Sequence, residues 1–222
     1  MNLPKWRLEV MAAGLAFVVA AIAAQEAGKD DKDRREVLVR REALMKSLGT
    51  SAPQKLNVAP TDGMFLKILA ETIGAKRALE IGSSYGYSAL WIGQGLERTG
   101  GHLWTVEIDA SRARQCRENV KEAGLETTVT SIEDDAFKAV PKLDGPFDMV
   151  FLDGWKTDYK RYLDVVAPKI RVGGVIVADS TIEKAKDVAD FLEAVNHSPN
   201  FDSVTLNTTA TLRGMTISYK VK

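Results

Sequence analysis

The sequence predicts an α/β fold: a doubly wound, mainly parallel seven-stranded sheet with helices on both faces and an antiparallel hairpin at its C-terminal edge. Three observations carry that expectation. Short apolar runs alternate with helical stretches of about 10–15 residues between Arg77 and Val195, a rhythm that demands right-handed crossovers and a parallel sheet. Glycine punctuates the runs at Gly82, Gly124 and Gly173-Gly174. The last two runs, Ser203–Asn207 and Met215–Lys220, have no helix between them, so they should pair antiparallel.

The elements follow in order. Val37, Leu38, Leu44, Met45 and Leu48 recur at helical spacing, and a Ser, Thr, Pro and Asn-rich loop runs from Gly49 to Pro60. Thr61 to Ile73 reads as a second helix capped by Thr61 or Asp62 and stopped by Gly74. The strands are expected at Arg77–Ile81, Leu103–Ile108, Thr127–Ile132, Phe147–Leu152 and Val175–Ala178, the last after a Gly173-Gly174 turn. Between them lie helices at Tyr87–Leu96, Ser111–Ala123, Phe137–Leu143 and about Asp158–Ala167, which Pro168 ends. Ile182–Val195 is expected as the last helix.

Composition sets the outer bounds. In 222 residues, 45% are hydrophobic and 27% charged, the balance of a folded globular chain. Thirty basic residues face thirty acidic ones, so no global field recruits nucleic acid and none is expected as a partner. A lone Cys116 forbids an intramolecular disulfide or a thiolate-rich metal cluster, and it reads as a half-buried helix residue without a redox task. Only His102 and His197 are present, which disfavours a His-rich metal site.

The N-terminus reads differently. Lys5 and Arg7 precede an uncharged run from Val10 to Ala24, with small residues at Ala21-Ile22-Ala23. Fifteen residues fall short of the ~20 that cross a bilayer as a helix. A basic start, a short apolar middle and a small-residue exit mark a signal peptide over residues 1–24 and thus export. The alternatives are an uncleaved membrane anchor through residues 10–24 and a core or amphipathic helix. Residues 25–36, with the Lys29–Arg35 charge run, read as a solvated linker, and residues 37–222 as the folded domain.

Doubly wound sheets bind ligands beyond the carboxyl ends of their strands, so the informative residues follow each strand. The first strand runs into Glu80-Ile81-Gly82-Ser83-Ser84-Tyr85-Gly86-Tyr87-Ser88. Two glycines in a strand-to-helix turn admit a ligand close to the backbone, or serve turn geometry alone. A dinucleotide fingerprint wants Gly where Ser84 stands, so the turn suits a nucleoside or amino-acid ligand better than a diphosphate. Glu107 ends the second strand, where an acidic side chain can accept from both ribose hydroxyls. Asp109 reads as a helix N-cap. Glu133-Asp134-Asp135-Ala136 could meet an adenine or form a solvated acidic cap. Asp153-Gly154-Trp155-Lys156 and Asp179-Ser180 follow the fourth and fifth strands. If those strands are neighbours, two carboxylates share a crevice, and such oxygen ligands suit Mg²⁺ or Ca²⁺ and not zinc. The bland account of Ser180 is a capping box, Ser180-Thr181-Ile182-Glu183.

This combination resembles the class I S-adenosylmethionine (SAM)-dependent methyltransferases, and more narrowly the metal-dependent catechol and caffeoyl-CoA O-methyltransferases. The carriers are Ala78-Leu79-Glu80-Ile81-Gly82, Gly86-Tyr87-Ser88-Ala89-Leu90, Val106-Glu107-Ile108-Asp109, Asp135-Ala136, Phe147 to Asp153, and Gly173 to Asp179, in the family's order over about Asn57 to Lys220. The resemblance implies SAM as cofactor and a divalent metal, Mg²⁺ or else Ca²⁺ or Mn²⁺. By position it implies that Glu80, Gly82 and Ser88 line the methionine end, Glu107 holds the ribose, and Asp135 and Ala136 flank the adenine, with Asp153 also beside the cofactor. Asp153, Asp179 and Ser180 match the metal ligands, although the family has Asn where Ser180 stands. Lys156 matches the catechol enzyme's general base. The late Glu that contacts one catechol hydroxyl falls near Asn207 or Thr208 here, so the resemblance does not extend to catechol itself. What it implies is methyl transfer to the hydroxyl of a small, phenolic or catechol-like acceptor, with a homodimer as the family-like assembly.

Two rivals remain open at this stage. An NAD-dependent dehydrogenase explains Glu107 but not Ser84, Asp153 or Asp179. A SAM-binding or partner-binding relic is suggested by Ser180 and by the export signal, because SAM is made in the cytosol. Trp155, Tyr159 and the loop near Met64 either shape an aromatic acceptor pocket or pack.

Overall fold

The computed structural model describes residues 31–50, 57–207 and 213–222. The expected signal segment lies outside these residues, as do residues 25–30 of the expected linker. Residues 31–36 of that linker are instead helical and exposed, the start of α1 (residues 31–50). The charge run supports a helix because it places opposite charges one turn apart: Arg35 donates to Asp31 at 2.7 Å, and Lys32 lies 3.9 Å from Glu36. Two compact units divide the chain at residues 1–42 and 43–222, and the sheet belongs to the second. Among the described residues no helix is long and apolar enough to cross a membrane.

After α1 come α2 (Pro60–Thr72), β1 (Arg77–Ile81), α3 (Tyr87–Thr99), β2 (His102–Glu107), α4 (Ala110–Glu122) and β3 (Val129–Glu133). The second half holds α5 (Ala136–Ala139), β4 (Phe147–Leu152), α6 (Tyr159–Val166), β5 (Ile170–Asp179), α7 (Ala189–Asn196), β6 (Phe201–Leu206) and β7 (Met215–Lys220). The sheet order is β3-β2-β1-β4-β5-β7-β6, parallel from β3 to β5 and antiparallel for the two C-terminal strands. The order reverses between β1 and β4, which creates the crevice where such sheets bind ligands.

Three expectations are corrected. Pro60 opens α2 and Ala59 takes the cap position without a side-chain bond, so neither Thr61 nor Asp62 caps it; a proline whose missing N–H costs nothing suits a first turn. Gly173-Gly174 does not precede the fifth strand but lies inside it, where Gly173 has φ +79° and the pairing with β4 shifts register. A residue in the left-handed region makes a bulge, and a bulge reads locally as a turn. The last α-helix starts at Ala189 and not at Ile182, because the amides of Thr181, Ile182 and Glu183 donate to the carbonyls of Gly214 and Arg213 at 2.9–3.0 Å.

β4 is buried on both faces, as an apolar run between two parallel neighbours should be. Met149 and Phe151 join one core with Leu66, Leu90 and Leu96 from α2 and α3. Val150 and Leu152 join the other with Tyr159 and Phe191 from α6 and α7. Cys116, expected half-buried, is fully buried, and burial pushes its thiol up to about 11. Replacing Phe151 by Ala should lower unfolding free energy by about 3–5 kcal/mol in urea titration, the range for emptying a buried aromatic site.

Glu80 is the exception in β1. It is fully buried and accepts from Thr105 Oγ1 at 2.5 Å on one oxygen, while Oε1 has no hydrogen-bond partner among the described residues. Burial pushes its carboxyl up to about 7, with the Ser88 and Thr105 hydroxyls opposing and the charges of Asp153 and Glu107 adding. Its folded pKa thus lies above the unfolded one, so the folded chain binds the extra proton between the two. Stability should fall as pH rises from about 4.5 to about 7 and stay lowered above that. Glu80→Gln removes this cost. Its stability gain in denaturant melts should be larger at pH 8 than at pH 5, by up to about 3 kcal/mol; a gain independent of pH would disprove the buried charge.

Candidate active site

The turn after β1 is built against the tip of β4. Gly82 has φ +95°, and a Cβ there would lie 2.7 Å from the carbonyl carbon and oxygen of Asp153. Glycine is therefore required by close packing of two backbones before any ligand is considered. Ile81 O accepts from Asp153 N at 2.9 Å, and Val106 O from Gly82 N at 2.9 Å, so the ends of β1, β2 and β4 are tied together. Ser84, where a dinucleotide turn wants glycine, takes the left-handed conformation anyway, with φ 47°.

A cleft of about 980 Å³ opens above these tips. Glu107 forms part of its wall. Its two oxygens accept from the amides of Ser84 at 2.8 Å and Asp109 at 3.0 Å, which fixes the carboxylate at the rim of the turn. Asp109 caps α4 through Ser111 and Arg112 amides, as its position predicts. Asp135 caps α5 by accepting from the Phe137 amide at 2.9 Å, and Asp135 and Ala136 both line the cleft. The capping role and a place at the ligand wall are thus compatible.

A second group of charged side chains stands at the tips of β4 and β5. β4 and β5 are neighbours in register, with Leu152 opposite Ala178, so Asp153 and Asp179 sit at adjacent strand tips. Both line the cleft with Gly154, Trp155, Lys156 and Ser180. Burial pushes the Asp153 carboxyl up to about 7; the charge of Asp179 adds to this, while Lys156 and Arg213 oppose it. Lys156 Nζ donates to Asp153 Oδ1 at 2.6 Å and to the Tyr159 hydroxyl at 2.7 Å. Ser180, with φ 60°, donates its hydroxyl to Asp179 Oδ2 at 2.6 Å, so it does not form the capping box.

Could these residues hold a divalent cation? Asp179 Oδ1 is buried and has no hydrogen-bond partner among the described residues. An unpaired anionic oxygen beside a second carboxylate is an electrostatic deficit that a hard cation relieves. The donor set fits Mg²⁺ or Ca²⁺. Among the described residues no cluster of three or more His, Cys, Asp or Glu side chains is arranged for a metal, so hydroxyl, carbonyl or water oxygens would complete it.

The structure therefore brings Gly82, Glu107, Asp135, Ala136, Asp153, Lys156, Asp179 and Ser180 into one cleft. Glu80 and Ser88 are not among its lining residues; both are buried. Tyr159 is fully buried and packs, whereas Trp155 is 69% exposed at the cleft. Arg213 was not legible: it reaches the cleft from the start of β7, 60 residues after Asp153 in the chain, and no local pattern announces it. Phe137, Arg161 and Tyr162 also form wall, with Phe137 and Tyr162 stacked at 5.1 Å. By helical spacing alone, Phe137 and Tyr162 read as core.

Residues 33–207 match the family model described as O-methyltransferase. A catechol O-methyltransferase of Niastella koreensis is 35% identical over 148 residues, 65% of this chain and 66% of that one. One from Mycobacterium tuberculosis is 35% identical over 129 residues, 58% of each. The chain thus spans somewhat under two thirds of the length of these curated relatives. Among solved structures, an O-methyltransferase from Bacillus cereus in complex with SAH superposes with TM-score 0.73 at 25% identity, over 84% of this chain and 91% of that one. The O-methyltransferase TomG from Streptomyces achromogenes, in complex with SAM, gives 0.72 at 27%, over 84% and 90%. A Rossmann-like sheet whose crevice gathers the strand-end residues, together with a family match over most of its length, places this chain in the O-methyltransferase family.

Proposed function

We propose that the protein transfers a methyl group from SAM to a hydroxyl oxygen of a small phenolic acceptor, with Lys156 as general base and a divalent ion at Asp153 and Asp179. One observation carries the reading: a lysine and two carboxylates from neighbouring strand tips share a cleft with the glycine turn and Glu107. When bound, SAM supplies an electrophilic methyl, and a divalent ion held by Asp153, Asp179 and the Ser180 hydroxyl would lower the pKa of an acceptor hydroxyl.

The chain's own residues do the rest. Glu107, already anchored by two backbone amides, keeps lone pairs for the ribose hydroxyls. Asp135 and Ala136 bound the nucleoside end of the cleft, and the exposed indole of Trp155 offers a flat apolar surface to an aromatic acceptor. Lys156 accepts the proton that the acceptor oxygen must lose. Holding both reactants in line is the main expected contribution, since in-line geometry converts an encounter into an effectively unimolecular step.

Calorimetry with SAH should show 1:1 binding and none with NAD; the reverse result would favour a dehydrogenase. Asp153→Ala should abolish metal-stimulated turnover of a phenolic acceptor while SAH still binds. Normal turnover by that variant and by chelator-treated protein would remove the metal from the mechanism. Lys156→Met should lower kcat by about 10²–10⁴-fold, the range for losing a general base, with SAH affinity little changed.

A further inference from the structure

Tyr159 holds a fully buried hydroxyl that packing alone does not require. Its ring sits against Phe191 at 5.7 Å and near Tyr162 at 6.4 Å, contacts a phenylalanine would also make. Burying a phenol without hydrogen bonds is unfavourable, and this one has three partners. Its oxygen lies 2.7 Å from Leu152 O, 3.1 Å from Asp179 O and 2.7 Å from Lys156 Nζ. A phenol has one proton to give. The two carbonyls can only accept, so that proton serves the main chain, and the bond with Lys156 must run from the amine to the phenolic oxygen. The hydroxyl is thereby pinned to the main chain next to both carboxylate-bearing positions.

The consequence falls on the lysine. The amine nitrogen is tetrahedral, with its carbon and three further directions. Asp153 Oδ1 takes one N–H direction and Tyr159 another. The remaining direction is then determined. With Asp153 alone, either of the two remaining directions at the nitrogen could face the acceptor.

We propose that Tyr159 is a positioning residue for Lys156, holding one N–H so that the remaining direction at Nζ faces the acceptor hydroxyl in a fixed orientation. The inference rests on the methyl-transfer reading of the cleft. In the step it serves, the acceptor oxygen's electron pair forms the new O–C bond and the S–C pair returns to sulfur, leaving the thioether SAH. The hydroxyl proton passes to Lys156 and from there to solvent.

The test is a double-mutant cycle with Tyr159→Phe and Lys156→Met, scored by steady-state methyl transfer to a phenolic acceptor. In the wild-type background Tyr159→Phe should lower kcat about tenfold to a hundredfold, the size expected for a misplaced reacting group. KM and SAH affinity should stay within about twofold. In the Lys156→Met background the same change should cost nothing further, because the group it positions is gone. An equal loss in both backgrounds would make Tyr159 merely structural and overturn the proposal, as would an unchanged kcat.

A second readout needs neither turnover nor a folded variant: ¹⁵N relaxation of lysine side chains in the full-length wild-type protein. The proposal requires Lys156 Nζ to be as ordered as a buried amine, and an order parameter like those of exposed lysines overturns it. Where Tyr159→Phe folds, that order should drop. A wild-type protein that binds no SAH and methylates nothing would count against methyl transfer itself, while the relaxation experiment would still decide whether Tyr159 holds the amine.

Discussion

The parallel pairing of β4 between β1 and β5 is the constraint on which the rest of the molecule depends. β4 has no exposed face: its side chains alternate between two cores, and its backbone is bonded on both edges. A one-residue slip would exchange Met149 and Phe151 with Val150 and Leu152 and disrupt both cores at once. Register is therefore strongly specified, and it sets where the chain leaves the sheet. Leu152 stands opposite Ile81 on one side and Ala178 on the other. The next residues, Gly82, Asp153 and Asp179, are thus delivered to one crevice by the packing of apolar residues that never touch a ligand.

That delivery carries an electrostatic cost, and the local structure shows how it is met. Two buried carboxylates repel, and the Asp153 carboxyl is held far above its ordinary range. Lys156 partly offsets this through a short bond from the next turn of chain. Ser180 adds a hydroxyl donor to Asp179 but adopts a left-handed conformation to do so, a strain of the kind that accumulates at functional sites. Among the described residues, one Asp179 oxygen has no hydrogen-bond partner. Under the proposed methyl transfer, that oxygen is where a divalent ion would bind.

The reach of local pattern can be read from particular residues. β1 and β4 were legible to the residue, because strands buried on both faces are short apolar runs with sharp ends. The beginning of β5 was not, since Gly173-Gly174 signals a turn and only pairing with β4 turns it into a bulge within a longer strand. The start of α7 was obscured in the same way. The amides of residues 181–183 are taken by a segment more than 25 residues further along, so a valid capping pattern lost to tertiary hydrogen bonds.

By itself the sequence determined the order of strands and helices, the sheet class and most of the residues that follow each strand, because these depend on hydrophobic period and on glycine and proline, which act over a few residues. Only the tertiary structure decided that Glu80 and Ser88 are buried away from the cleft, that Arg213 lines the cleft together with Asp153, and that the Tyr159 hydroxyl grips Lys156. Those outcomes depend on which side of a strand tip or helix faces which neighbour. Such facing is set by packing between elements distant in the chain, and no short-range pattern encodes it.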